Sequence, residues 1–298
     1  MSLSLSSRWI QFTLLLLAVD GVLPVQSARA SRQILIIVGP SHHAAGTHEV
    51  AAGARLMQHC LTHSGVQGLN AVVVDGWPQS ETDLDTADTV VFIGDAFPPN
   101  RLPDGERILA KLGSMMNRGC GIVCVHYATG LHARDVPQDG GHPLLKWLGG
   151  YSAFQCPHHN TLARIFPAAK ISPAAPLHPV SRGWKAFTVH DEPYINNYFG
   201  PHGNRPAPGV TALATSMLPP EKPKREVVAW CIQRKDGGRG FGIVMPHFFR
   251  SWKDNNLRTC ILNGITWTAH AEIPEAGVQS KLPELSRFQP EAVEPRRQ

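Results

Sequence analysis

Basic charge is thinly spread along this 298-residue chain, and the first lysine is Lys111. Charged residues make up 17%, the formal net charge is +5, and no Lys/Arg block could form a nucleic-acid stripe. After residue 30 no apolar run approaches the roughly 20 residues a membrane-spanning helix needs. The six cysteines contain no Cys-x-x-Cys pair, which argues against a thiolate zinc site. Cys120 and Cys124 share one apolar run and, on a strand, lie too far apart to bond. The cysteines therefore read as small buried hydrophobes. No Gly-x-Ser-x-Gly elbow is present, which counts against the usual serine hydrolase. No Gly-x-Gly-x-x-Gly follows the first strand, which weakens a dinucleotide reading, and no His-Glu-x-x-His occurs. The glycine-rich run at Gly237, Gly238 and Gly240 leads into a strand rather than a helix, so it cannot cradle phosphate as a Walker loop does.

What is present begins with an address. Arg8 precedes an apolar stretch over residues 9–19, and Ala28-Arg29-Ala30 forms the small-x-small pattern of a cleavage site. The expectation is a signal peptide over residues 1–30, a mature chain starting at Ser31, and an exported protein with no membrane attachment after cleavage. Hydrophobic residues at 43% then supply a substantial core.

The following residues alternate between strand and helix patterns. Continuous apolar runs at 33–38, 70–75, 88–94 and 121–126 have the character of strands buried on both faces. Val50, Ala54, Met57 and Leu61 share one helical face, as do Ile108, Leu112 and Met115. Shorter strands are expected at 186–190, 210–214 and 226–232. A tight turn at 235–238 leads into a strand over 239–245, and a last helix carries Leu257, Ile261 and Ile265. The predicted fold is α/β: a doubly wound, mostly parallel sheet with helices on both faces. The domain spans residues 31–270, with an extended or frayed tail over 271–298.

Histidine is the unusual entry in the composition, with fifteen residues. In an open parallel sheet, ligands bind beyond the carboxyl ends of the strands. That edge should receive His42, His43 and His48 from the loop after the first strand, then His126, then Asp191 and Glu192 behind His190, and finally His247. Imidazoles and carboxylates suit two kinds of site: acid–base chemistry near neutral pH, or a zinc-type divalent metal. The candidate catalytic residues are His126, Asp191 and Glu192. Candidate metal ligands are His42, His48, His126 and His247. Tyr127, Tyr194 and Trp252 are candidates for stacking on a sugar.

Five ordered blocks resemble the ThuA-like family, named for trehalose utilisation, within the class I glutamine amidotransferase-like superfamily. They begin at Gly39-Pro-Ser-His, Gly119-Cys-Gly-Ile-Val, His178-Pro-Val, Val228-Ala-Trp and Asn263-Gly-Ile-Thr-Trp. The resemblance implies a flavodoxin-like sheet. Class I amidotransferases carry a nucleophilic cysteine at the turn where this chain has His126, and Cys124 sits inside the preceding strand, so glutaminase activity is not implied. It also implies sugar catabolism, with keto-sugars as the substrate class. His42, His48, His126, Asp191, Glu192 and His247 match the family's polar positions, whereas Phe249 stands where similar members carry a second histidine. The expected function is an exported carbohydrate-active enzyme with a small-molecule sugar as its partner. The alternative is a non-catalytic sugar-binding module on the same fold.

Overall fold

The computed structural model describes residues 31–289 and 293–294, so the expected export signal lies outside the described residues. The first half runs β1 (Arg32–Val38), α1 (Val50–Thr62), β2 (Leu69–Asp75), α2 (Glu81–Thr86), β3 (Thr89–Ile93), α3 (Gly105–Asn117) and β4 (Gly121–Val125). A short parallel pair, β5 (Gly130–His132) and β6 (Ser152–Phe154), brackets α4 (Pro143–Leu148). The second half runs β7 (Phe166–Pro173), β8 (Phe187–Asp191), β9 (Val210–Leu218), β10 (Lys224–Gln233), β11 (Arg239–Ile243) and α5 (Asn255–Thr268). No helix among the described residues is long and apolar enough to cross a membrane.

Nine strands form one sheet in the order β2-β1-β3-β4-β11-β10-β9-β7-β8. The expectation of a mostly parallel sheet is corrected here. From β2 to β11 all four pairings are parallel, and from β11 to β8 all four are antiparallel. For two of the four antiparallel pairings the cause is connection length. Short turns join β9 to β10 and β10 to β11, and a short link forces consecutive strands to run in opposite directions. In the parallel half β3 and β4 are buried at every position, as strands covered on both faces must be.

The covering layers can be read from two adjacent residues of β11. A side chain added at Gly264 of α5 would strike the ring of Phe241. One added at Gly240 would strike the backbone of Trp147 and Leu148 in α4. Neighbouring strand residues point to opposite faces, so α5 and α4 lie on opposite sides of the sheet. The two glycines let both helices pack close at this point.

The polar stretch from Ala271 is extended, with a single 3₁₀ turn at Leu285–Arg287, but it is docked rather than frayed as far as residue 289. Ile273, Val278, Leu285 and Phe288 are buried. Asn263, on α5 and fully buried, holds this segment. Its amide nitrogen donates to the carbonyls of Val180 (2.9 Å) and Arg182 (2.8 Å), and its oxygen accepts from Val278 N (2.7 Å). Asn263→Ala would leave the Arg182 carbonyl and the Val278 N–H unpaired, while the Val180 carbonyl keeps its bond from Trp184 Nε1. The expected loss is about 2–4 kcal/mol in urea unfolding, with Asn263→Asp recovering only the bond to Val278.

Candidate active site

β1, β3, β4 and β11 end at one edge of the sheet. Strand order reverses between β1 and β3, because the chain lays β2 on one side of β1 and β3 on the other. Such a reversal opens a crevice at the carboxyl ends. The loop after β1 reaches it through Gly46, at φ +84°. Two bonds tie that loop to the segment following β11: His48 N donates to the His247 carbonyl, and Phe249 N to the Gly46 carbonyl, both at 2.9 Å. His126 follows β4 directly. His48 and His126 both hold left-handed backbones, with φ of +43° and +53°. A non-glycine residue there costs on the order of 1–2 kcal/mol, and such strain concentrates at functional sites.

Glu192 arrives from the other half of the sheet. Strand order alone would put β8 four strands from β11, about 19 Å away at the usual spacing. The β7–β8 hairpin is attached to β9 at only two residue pairs, Ser172 with Thr215 and Pro173 with Ala214. It folds back over the edge, so that Glu192 Oε2 lies 3.4 Å from His247 Nδ1 and 3.8 Å from His126 Nε2. Asp191 fastens this crossing: its Oδ1 accepts from His247 N and Glu192 N, both at 2.7 Å.

Hydrogen bonds at the far nitrogens set the tautomers. His126 Nδ1 faces the Val244 carbonyl at 3.1 Å, so it must carry the hydrogen and leave Nε2 with a lone pair. His48 Nδ1 donates to Asp95 Oδ1 at 2.8 Å, which leaves Nε2 as its acceptor. His126 Nε2 lies 3.2 Å from His247 Nδ1 and 3.2 Å from the Tyr194 hydroxyl. One potential ligand atom from each of His48, His126, Glu192 and His247 falls within 4.8 Å of the others. Two buried atoms of the group, His48 Nε2 and Glu192 Oε2, have no hydrogen-bond partner.

Burial decides the charge states. It drives the His48 imidazole down to about 4, against an opposing pull from Asp95. It takes His247 down to about 3, with repulsion from His48 and His43 adding to the fall, and holds His126 well below the usual histidine range. Burial also lifts Glu192 to about 7, helped by the neighbouring Asp191 and opposed by the hydrogen bond from Tyr127. Asp95 behaves in the opposite way. Burial would raise it, but hydrogen bonds from His43, His48 and the His42 backbone hold it well below the carboxylate range.

The structure gathers His48, His126, Glu192 and His247 from the expected set. His42 is corrected: its side chain belongs to neither donor group, and its backbone N–H donates to Asp95 Oδ2 at 2.6 Å. Its neighbour His43 takes the place, 2.9 Å from Asp95 Oδ1 and stacked on His48 with ring centroids 3.8 Å apart. Asp191 is fully buried and spends one oxygen on backbone amides, so it positions the loop rather than facing a substrate. Tyr194 and Trp252 are buried at 0% and 3%, which leaves neither a face for a sugar. Tyr127 is half-buried, and its ring touches His48 at 3.8 Å between centroids. Asp95, overlooked in the sequence, stands two residues beyond β3, where the strand-end rule could have found it.

Two cavities adjoin these groups. An inner one of about 20 Å³ has room for a single water and is lined by His48, His126, His247, Phe249 and Trp252, among others. An outer, open one of about 550 Å³ begins at His43, Asp95 and Tyr127.

A half-parallel sheet with a buried histidine–carboxylate cluster at its switch point defines an α/β protein with a polar crevice site. More narrowly, the chain belongs to the ThuA family, described as trehalose utilisation, whose pattern matches residues 34–268. No curated protein matches it closely. A ThuA-like protein from Bacteroides uniformis shares the fold at 17% identity and a TM-score of 0.55, over 83% of this chain and 95% of that one. Agd3, a carbohydrate deacetylase, aligns at 11% identity and a TM-score of 0.49, over 81% of this chain and 33% of its own. A glutamine amidotransferase from Methylobacillus flagellatus aligns at 13% and 0.38, over 85% of this chain and 98% of its own.

The buried imidazoles of this group set a pH dependence of stability in metal-free protein. Each of the three is neutral when folded and has a lowered folded pKa, so the unfolded chain binds the extra protons once the pH drops below about 6.5. Glu192, with its raised pKa, works in the opposite direction between about 4.5 and 7, one group against three. Buried His142, also lowered to about 4, adds to the imidazole side, and unfolding free energy in chelator is expected to fall by roughly 5 kcal/mol from pH 7 to pH 5. His247→Gln should make that slope shallower, and an unchanged slope would refute neutral burial.

Proposed function

We propose that this chain is a sugar-modifying enzyme whose centre is a divalent metal of the zinc class, held by His48, His126, Glu192 and His247. The observation that carries the reading is the pair of unpartnered buried atoms, His48 Nε2 and Glu192 Oε2, facing two further donors. Bonds of about 2.1 Å to a tetrahedral zinc place its ligand atoms roughly 3.4 Å apart. Separations of 3.2, 3.4 and 3.8 Å are therefore on the scale of a coordination shell. The far nitrogens of His48 and His126 already bond to a carboxylate and a backbone carbonyl, the outer support that metal-binding imidazoles use. When bound, such an ion supplies Lewis-acid polarisation of a substrate oxygen.

The chain's own residues would do the rest. Asp95 orients His48 and His43 together. Asp191 keeps the Glu192 and His247 backbones in place. The Tyr127 hydroxyl bonds to Glu192, and Tyr127 lines both the inner and the outer cavity. His43, the exposed imidazole of the group, is placed to take or give a proton at the wall of the outer cavity. That set suits proton transfer beside a carbonyl or at a glycosidic oxygen of a sugar or keto-sugar. Cys124 is buried and its thiol is pushed well up by that burial, so it is no nucleophile. We place this activity outside the cytoplasm on the strength of the N-terminal address; the isolated mature protein should begin at Ser31.

Protein purified without chelator is expected to carry about one zinc per chain by elemental analysis. His126→Ala and His247→Ala should each lose the metal and lower turnover of keto-disaccharides by about a hundredfold or more. A chain that turns over sugar with no metal, or binds sugar unchanged after His126→Ala without ever turning it over, would overturn the reading.

A further inference from the structure

The outer cavity is open to solvent, and its volume of about 550 Å³ falls within the usual range of small-molecule sites, about 300–1,000 Å³. One wall is the outer side of the histidine group, formed by His43, Asp95 and Tyr127. A second wall comes from the end of β6 and the segment that follows it, with Phe154, Gln155 and Asn160. Three features of that wall bear on what it holds.

First, it offers aromatic surface. The rings of Tyr127 and Phe154 meet edge to face with centroids 5.9 Å apart. Second, it offers one side-chain amide and one amide nitrogen that nothing among the described residues uses. Gln155 sits at φ +55°, its backbone N–H bound to Asn160 Oδ1 at 3.2 Å. Neither the Gln155 side-chain amide nor the Asn160 amide nitrogen has a hydrogen-bond partner among the described residues. Third, no lysine or arginine lines the cavity. The one carboxylate there, Asp95, is already engaged by two imidazoles and a backbone amide.

We infer that this wall, built on Phe154, Gln155 and Asn160, is the recognition subsite for an uncharged sugar presented to the histidine–carboxylate group. The inference rests on the enzymatic reading of that group and adds to it where the ligand lies and what charge it carries. An aromatic ring packs against the C–H face of a sugar, and an amide donates to one hydroxyl while accepting from another. A phosphorylated or carboxylated sugar would place its anion in a hollow with no lysine or arginine to receive it. The left-handed backbone at Gln155, stabilised by Asn160, holds the two amides on one turn.

Gln155 is exposed and Asn160 retains its acceptor oxygen in Asn160→Asp, so the double variant Gln155→Ala/Asn160→Asp should fold. The probe is trehalose, titrated by calorimetry into the full protein with and without zinc, with glucose 6-phosphate as the charged control. Expected are measurable trehalose binding, weaker binding of the phosphate ester, and a loss of about tenfold in trehalose affinity in the double variant with zinc stoichiometry unchanged. Unchanged affinity in the double variant, no trehalose binding by the unmodified chain, or preference for glucose 6-phosphate would each overturn the subsite. If zinc never binds but the double variant still loses trehalose, the subsite stands and the metal reading falls. If zinc binds and the double variant keeps its trehalose, the reverse holds.

Discussion

His48 donates its Nδ1 hydrogen to Asp95 across 2.8 Å, and the geometry of the crevice follows from that bond. It fixes which nitrogen of His48 has a lone pair, and it points that nitrogen inward, where it has no protein partner. The same carboxylate holds His43 at the wall of the outer cavity. Asp95 tolerates its partial burial because three donors converge on it. Remove that anchor and both imidazoles could rotate, while the backbone of the loop after β1 would lose its bond at His42.

The two halves of the sheet contribute differently. The parallel half ends its strands side by side and so brings His48, His126 and Asp95 to one edge by ordinary α/β winding. The antiparallel half supplies the carboxylate through a hairpin that is loosely attached to the sheet and folded back upon it. Asp191 makes that fold-back specific. Its oxygen takes backbone amides from both sides of the junction, so Glu192 and His247 are positioned by one buried group. Burial of so many titratable side chains is sustainable because the imidazoles are neutral and Glu192 holds its proton up to about 7.

The family resemblance implied a second histidine at the position where this chain has Phe249. In this chain its ring helps close the inner cavity, with Trp252 beside it. The four-donor cluster assembles without a donor from residue 249. The departure thus changes the lining of the cavity and leaves the cluster's membership intact.

The sequence alone determined the four strands of the first half, four of the five strands that complete the sheet, the principal helices and the edge at which the histidines collect, but not β5, β6 or β7. Apolar runs and helical periodicity are local properties, and an α/β winding sends every parallel strand end the same way. It also made His126, His48, His247 and Glu192 visible, because each lies in the segment that directly follows a strand. The tertiary structure alone decided that His43 rather than His42 turns inward, since adjacent residues on an irregular loop differ only in direction. It decided that Tyr194 and Trp252 are buried, because an aromatic residue packs equally well in a core or at a binding surface. The fold-back of the β7–β8 hairpin was equally beyond the sequence, since it depends on contacts between residues more than fifty positions apart, Asp191 and His247 among them.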